Sequence, residues 1–155
     1  MIKPALIKGG LITTALLSIS LSPAALNANK AQYLPTEAQW CLAKGCIDLE
    51  IPKTYDQYVQ GLRNRPALGP WRGMWFRFAS AKLVAFNMYE CSSLDLIFIR
   101  DGKVVDVKAN LPPCLKLPCA QIIPIEPVDE VIELQAGRAA ALGIKAGSPA
   151  IPKLD

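Results

Sequence analysis

Five cysteines are the residues of this sequence with the clearest capacity for chemistry. Four residues separate Cys41 from Cys46, and the same spacing separates Cys114 from Cys119. Each pair encloses a short loop that contains Gly or Pro, so a local disulfide is sterically allowed. Pairing between the two segments is possible as well, and the sequence does not choose between these connectivities. In either case Cys91 is the odd thiol.

The cysteines also allow two functional interpretations. Cys114 and Cys119 could form a redox pair, or the four spaced cysteines could bind zinc as thiolates. Catalytic redox pairs usually have two residues between the thiols, and an oxidising compartment disfavours thiolate ligation of zinc. We therefore favour structural disulfides, and we predict no metal and no other cofactor.

Asp95 is a carboxylate within a segment that otherwise has the composition of a buried strand. It stands between Leu94 and Leu96. A buried carboxylate must be hydrogen-bonded or paired, or else it becomes neutral. One hypothesis is a general acid or base in a pocket. The other is a structural carboxylate that accepts hydrogen bonds from the backbone of a neighbouring loop or from Arg65.

The composition excludes several functional classes. The sequence contains no histidine, which excludes Ser-His-Asp and Cys-His catalysis, imidazole-ligated zinc and imidazole proton shuttles. An enzyme would have to use carboxylates, thiols, lysine, tyrosine or backbone groups. The formal net charge is +4, but the basic residues are scattered along the chain. They form no phosphate-binding stripe, so nucleic acid is not an expected partner.

Residues 1–28 are predicted to be a signal peptide. Two lysines precede residues 9–21, which are uncharged and rich in Leu, Ile and Ala, and small and polar residues follow. That order is typical of a secretory leader, and we expect cleavage after Ala28. Export to the periplasm or the cell exterior would follow. The alternative is an uncleaved anchor over residues 6–21, which would be the only membrane contact.

The rest of the chain is predicted to be an N-terminal extension, residues 29–45, and one β domain, residues 46–155. In the β domain, Asp101-Gly102 is typical of a tight hairpin between strands at 94–99 and 104–107. Further strands are expected at 46–51, 74–78, 83–89 and 130–134, with a last one within 144–151. Strands at this spacing predict a mainly β fold, a compact antiparallel β-barrel or sandwich.

One or two short helices complete this fold prediction. Thr54 is a candidate N-cap for a helix over 54–62, because Gln57 three residues later can complete a capping box. A second short helix over 137–143 would end at Gly143, a residue typical of helix C-termini.

Several motifs, in the same order along the chain, resemble those of the domain-of-unknown-function 192 (DUF192) family. The likeness extends over about residues 46–151. It implies a compact, mainly β protein that is usually exported or membrane-anchored, with no established activity. The motifs that carry it are Gly61-Leu62-Arg63-Asn64-Arg65, Gly73-Met74-Trp75-Phe76, Phe86-Asn87-Met88, Leu94-Asp95-Leu96, Pro112-Pro113-Cys114 with Cys119, and Gly143-Ile144-Lys145-Ala146-Gly147.

The departures from the family pattern include Asn87, where the family has Trp in its Phe-Trp-Met motif. If the family shares a pocket near this motif, a stacking surface for a sugar or an aromatic ligand is lost here. The candidate pocket residues are Arg65, Met74, Phe86, Asn87, Met88 and Asp95.

These observations predict an exported module that binds a small molecule or a cell-envelope component without catalysing a reaction. The alternative is a thiol-redox protein or a hydrolase-like enzyme that uses Cys114 and Cys119, or Asp95.

Overall fold

The computed structural model describes residues 30–155, so the predicted signal peptide lies outside the described part of the chain. Within residues 30–155, no helix combines the length and the apolar character needed to span a membrane. The described residues form seven strands and two short helices. They are β1 (Thr36–Leu42), β2 (Gly45–Glu50), α1 (Tyr55–Gln60), β3 (Arg72–Lys82), β4 (Leu94–Arg100), β5 (Lys103–Leu111), β6 (Val128–Gln135), α2 (Arg138–Leu142) and β7 (Lys153–Leu154).

All seven strands belong to one sheet, in the order β5-β4-β6-β3-β2-β1-β7. The predicted mainly β fold with two short helices is therefore confirmed. The sheet is not closed into a barrel, and β2 and β3 form one parallel pair among antiparallel neighbours. The C-terminal segment nevertheless contacts both edges: residues 147–150 exchange backbone hydrogen bonds with the start of β5, and β7 pairs with β1.

The hairpin between β4 and β5 forms at the predicted turn. Asp101 and Gly102 both have positive φ angles, 49° and 70°. Glycine accepts this conformation without a steric penalty and aspartate tolerates it, which is why the Asp-Gly pair favours a tight turn.

Three segments differ from the sequence prediction, although the predicted number of about seven strands is found. The strand expected within 144–151 is absent, because those residues form only an isolated bridge at Pro149, and the last strand, β7, lies at Lys153–Leu154. Residues 36–42, predicted to lie in an extension, form β1. In β1 only Ala38 and Trp40 are buried, so the alternation of apolar residues is too short to be recognised. Residues 83–89, predicted to be a strand, form only isolated bridges at Phe86 and Tyr89. They instead cross the sheet as an irregular segment that buries Val84 and Met88.

The two faces of the sheet carry separate hydrophobic clusters. In β4, Leu94, Leu96 and Phe98 belong to the cluster on the α1 side, whereas Ile97 and Ile99 belong to the other. Successive side chains of a strand point to opposite faces, so a nearly continuous apolar strand must be covered on both. Elements outside the sheet, including α1 and the segment 83–93, complete the first cluster and form the candidate site.

The predicted capping box at α1 is confirmed. The Thr54 hydroxyl accepts a hydrogen bond from the Gln57 amide, and the Gln57 side chain accepts one from the Thr54 amide. Gly143 ends α2 as predicted, with a left-handed conformation.

Replacement of Thr54 by Ala is expected to lower the free energy of unfolding by about 1 kcal/mol, because one amide at the helix start loses its acceptor. Urea denaturation of the Thr54→Ala and Thr54→Ser variants measures this difference. Ser retains the hydroxyl and should stay within about 0.5 kcal/mol of the wild type. Equal losses in both variants would show that the cap is not the stabilising feature.

Candidate functional site

A cavity of about 500 Å³ lies on the α1 side of the sheet. Its walls come from α1, from the turn that follows α1, from β3 and from the irregular segment 83–91, while β6 contributes the single residue Glu133. The lining residues are Tyr58, Val59, Gln60, Gly61, Leu62, Arg63, Phe76, Phe78, Lys82, Leu83, Val84, Ala85, Phe86, Asn87, Cys91 and Glu133.

Four aromatic rings form one wall of the cavity. The ring centroids of Tyr58 and Phe76 are 5.7 Å apart, and those of Phe76 and Phe86 are 5.2 Å apart, both with edge-to-face geometry. The ring centroid of Phe78 lies 6.0 Å from that of Tyr58. Such pairs stabilise each other by about 1 kcal/mol beyond the area that they bury, so the wall is a preformed surface rather than a loose group of side chains.

Glu133 is the buried acid of the cavity. Its side chain projects from β6, the residue is 6% exposed, and its Oε2 atom is buried without a hydrogen-bond partner. Burial raises the pKa of Glu133 to about 8. At neutral pH the carboxyl group is therefore mostly protonated, and it can donate a hydrogen bond or exchange its proton for a cation.

The alternation of β6 explains why Glu133 faces the cavity. Val131 packs in the hydrophobic cluster on the α1 side, whereas Ile132 and Leu134 belong to the cluster on the opposite face. Sequence reasoning did not select Glu133 as a site residue. The signal was nevertheless present, because an acid between Ile132 and Leu134 repeats the arrangement that singled out Asp95.

Cys91 lines the cavity near Glu133 and is 8% exposed. Burial and, to a smaller extent, the charge of Glu133 raise the pKa of its thiol to about 12. The thiol thus stays protonated at physiological pH, and a protonated thiol is a poor nucleophile and a poor metal ligand.

The cationic groups at the cavity rim already have partners. Arg63 forms a salt bridge of 3.3 Å with Glu90, and its guanidinium lies 4.8 Å from the centroid of the Tyr89 ring. The Nζ atom of Lys82 lies 4.6 Å from the centroid of Phe78. Neither cation is bonded to the carboxyl group of Glu133 within the part of the chain that the structure describes.

The six candidate pocket residues occupy four places in the structure. Phe86 and Asn87 line the cavity, and the Asn87 side-chain oxygen accepts a hydrogen bond of 3.0 Å from the Tyr89 amide. Met74 and Met88 are buried in the hydrophobic cluster of the same face but do not line the cavity. The remaining two, Arg65 and Asp95, lie in separate polar networks.

Arg65 is paired with Glu50, not with Asp95. Both side chains are buried, and two guanidinium nitrogens of Arg65 donate to the carboxylate over 2.9–3.0 Å. Arg72 Nε donates over 2.6 Å and the Leu34 amide over 2.9 Å. Burial opposes ionisation of Glu50, but the hydrogen bonds from Arg65, Arg72 and Leu34 outweigh it and lower the pKa of the carboxyl group.

Asp95 lies on the sheet face opposite the cavity and is fully buried. Its carboxylate accepts hydrogen bonds from three backbone amides: Asn110 at 2.7 Å, Gly137 at 3.1 Å and Ala139 at 2.8 Å. It thereby ties β4 to the end of β5 and to the start of α2. Asp95 is therefore a structural carboxylate that accepts hydrogen bonds from the backbone of neighbouring segments.

The four spaced cysteines form two local disulfides, Cys41–Cys46 and Cys114–Cys119. The predicted disulfides are thus present, and their connectivity is the local one. Cys91 is the free thiol. Among residues 30–155, no group of three or more His, Cys, Asp or Glu side chains is placed to hold a metal ion.

A family model matches residues 39–150, which is more than half of the chain. That family is DUF192, described as an uncharacterised ACR. The match includes β2 to β6, both helices and all the residues that line the cavity. No curated protein matches the chain.

Two solved structures are similar to the chain. One, from Sinorhizobium meliloti 1021, is described as a proposed transcription regulator; it is 29% identical, with a TM-score of 0.66, and the match covers 80% of this chain and 96% of that one. The other is a protein of unknown function from Novosphingobium aromaticivorans DSM 12444. It is 24% identical with the same TM-score, over 94% of this chain and 99% of that one, and supports the fold alone.

Proposed function

The chain belongs to the DUF192 family, and we propose that it is an exported, non-catalytic module that binds a small ligand in the cavity above Glu133. One observation carries the proposal: a buried carboxyl group whose Oε2 atom has no hydrogen-bond partner faces a cavity walled by aromatic rings. A buried polar group without a partner is unfavourable by about 1–3 kcal/mol in a folded protein. A ligand that supplies the missing partner would recover that free energy.

The size and composition of the cavity support the same function. Its volume of about 500 Å³ falls within the roughly 300–1,000 Å³ that is typical of sites for small molecules. Such sites combine a mostly apolar lining with a few polar groups that orient the ligand. Here Tyr58, Phe76 and Phe86 supply apolar surface, and Glu133 and Asn87 supply the polar groups.

Export is supported by two independent features. The leader-like pattern of residues 1–28 is typical of secretory signals. The disulfides Cys41–Cys46 and Cys114–Cys119 are of a kind that persists in oxidising compartments and is rare in the cytosol. The ligand is therefore expected to be a molecule of the periplasm, the cell envelope or the surroundings.

A binding role is favoured over the enzymatic alternatives by the state of the candidate catalytic groups. Asp95 is buried on the sheet face opposite the cavity, and its carboxylate already accepts hydrogen bonds from three backbone amides. The Cys91 thiol is protonated, since burial raises its pKa to about 12. Glu133 has no second acid, base or nucleophile bonded to it among the described residues, whereas general acid–base catalysis by carboxyl groups usually needs two groups in complementary roles.

A titration of the exported protein, with both disulfides formed, against a library of small aromatic and amine compounds would test the proposal. Amide chemical shifts in two-dimensional NMR would report where each compound binds. We expect shifts grouped around Leu62, Val84 and Cys91. The Ala85→Trp variant, which places an indole in the cavity, should weaken binding at least about tenfold, a difference of about 1.4 kcal/mol.

The matched control is Ala109→Trp, which adds the same side chain at an exposed position on β5 outside the cavity. It should bind compounds as the wild type does. The proposal would be wrong if no compound shifted the amides around the cavity, or if Ala85→Trp bound the compounds as tightly as Ala109→Trp.

A further inference from the structure

We infer that the ligand of this cavity carries a cationic nitrogen, which pairs with the Glu133 carboxylate beneath the aromatic wall. The inference rests on the proposed function, because it assumes that the cavity is the binding site. It names the chemical class of the ligand: a protonated amine or a quaternary ammonium group attached to an apolar body.

The protein itself leaves Glu133 without a counter-ion. Arg63 is engaged by Glu90 and Tyr89, and Lys82 lies against Phe78. Both cations are close enough to line the cavity, yet neither satisfies the buried Oε2 atom. A counter-ion for this carboxylate therefore has to come with the ligand.

The aromatic wall of the cavity also favours a cationic ligand. The faces of aromatic rings attract cations within about 6 Å of the ring centroid. The structure already contains one such contact on this wall, since the Lys82 ammonium lies 4.6 Å from the centroid of Phe78. Tyr58, Phe76 and Phe86 also line the cavity and offer similar surface to a ligand cation.

The proton of Glu133 can be exchanged for a ligand cation. A lone buried carboxylate is strongly disfavoured, so the empty cavity keeps the proton on the carboxyl group. A ligand ammonium ion replaces that proton: the O–H bond of Glu133 breaks, the proton leaves to solvent, and an ion pair forms. One proton is released for each ligand bound, so the affinity rises with pH until Glu133 is ionised in the free protein.

The ionisable groups around Glu133 do not reverse this dependence. Cys91 stays protonated at the pH values concerned. The other charged groups of the cavity are the cations Arg63 and Lys82, and Arg63 is joined by a salt bridge to Glu90. Glu133 is therefore the group whose ionisation sets the pH dependence of binding.

A trio of compounds of nearly equal shape separates the possible ligand classes. We would compare 2-phenylethylamine (a cation), 2-phenylethanol (neutral) and phenylacetate (an anion) by NMR titration of the exported protein. Near pH 8 the amine should bind about tenfold more tightly than the alcohol, since an ion pair and cation–π contacts replace one hydrogen bond. Between about pH 6 and about pH 7, amine affinity should rise close to tenfold, while alcohol affinity should not rise.

The Glu133→Gln variant should lose both the preference for the amine and the rise with pH. Glu126→Gln is the matched control, because it removes a carboxylate from an exposed loop position and should keep both. Equal affinities for amine and alcohol, tighter binding of phenylacetate, or an amine affinity that falls with rising pH would overturn the inference.

These outcomes are distinct from a failure of the proposed function. If the alcohol or the anion bound in the cavity at least as tightly as the amine, the cavity would still be a ligand site, but not one for cations. If no compound of any class shifted the cavity amides, both proposals would be wrong.

Discussion

Replacement of Glu50 by Gln is expected to lower the free energy of unfolding by about 3–5 kcal/mol, because it leaves a buried guanidinium without its counter-ion. Glu50 is fully buried, and the side chain of Arg65 is 5% exposed. The carboxylate also binds Arg72 and the Leu34 amide, so one side chain holds β2, β3 and the chain before β1 together. Chemical denaturation near pH 7 measures the effect.

A surface ion pair provides the matched control for Glu50. Glu37 pairs with Lys53, whose side chain is 63% exposed, and exposed pairs contribute about 0–1 kcal/mol. Glu37→Gln should therefore lower the free energy of unfolding by less than about 1 kcal/mol. A loss in Glu50→Gln no larger than that of Glu37→Gln would show that the buried network does not stabilise the fold.

The Glu50 network also predicts how acid affects the protein. The hydrogen bonds to Glu50 lower its pKa below the ordinary value of 4.5. The unfolded chain thus binds the proton more tightly, so the contribution of Glu50 is fully present above about pH 4.5 and is lost as the pH falls through the folded-state pKa. Glu50→Gln should lack this part of the acid dependence.

The second large effect is expected at Glu133. Its contribution to the free energy of unfolding should decrease as the pH rises, whereas that of Glu50 increases. Burial raises the pKa of this carboxyl group from 4.5 to about 8, so the folded protein binds the proton more tightly than the unfolded chain. The free energy of unfolding should therefore be highest below about pH 4.5, as far as this group is concerned. It should fall by up to about 1.4 kcal/mol for each pH unit towards pH 8, and level off above it.

Glu133→Gln should remove this decline, because an amide does not ionise. Near pH 5 the variant should be about as stable as the wild type or slightly less so, and near pH 8.5 it should be the more stable protein by several kcal/mol. Thermal or urea denaturation over that pH range measures the crossing of the two curves. Parallel curves for Glu133→Gln and wild type would show that Glu133 ionises as an ordinary exposed acid does.

Features set by a few neighbouring residues could be predicted from the sequence. The Asp101-Gly102 turn and the Thr54 capping box depend on local chemistry, and both form where predicted. The two disulfides close loops of the same short spacing, and the structure decides between connectivities that the sequence left open.

Features set by contacts between distant segments could not be predicted. Nothing in the sequence places the end of β2 beside β3 in parallel, so Glu50 could not be recognised as the partner of Arg65. The irregular segment 83–89 has the composition of a strand, but it packs over the sheet instead of joining it. Phe86 and Asn87 consequently reach the cavity from outside the sheet, a position that periodicity alone cannot reveal.

In the candidate site, too, local features could be predicted, whereas features set by distant contacts could not. The resemblance around Phe86-Asn87-Met88 predicted a pocket near this motif, and Phe86 and Asn87 line the cavity. Asp95 was given weight because it is an acid in an apolar strand, yet its face and its partners depend on the positions of α2 and β5. Glu133 carries the same local signal on a neighbouring strand and faces the opposite way.

Carbon-13 NMR titration of the Glu133 carboxyl group tests most directly whether a buried, protonated acid with an unpaired Oε2 atom faces a ligand cavity. In the free protein we predict a pKa of about 8. With a saturating cavity ligand such as 2-phenylethylamine, we predict a clear fall in that pKa. A carboxyl group that titrates near its ordinary value of 4.5 and does not respond to any cavity ligand would contradict the account.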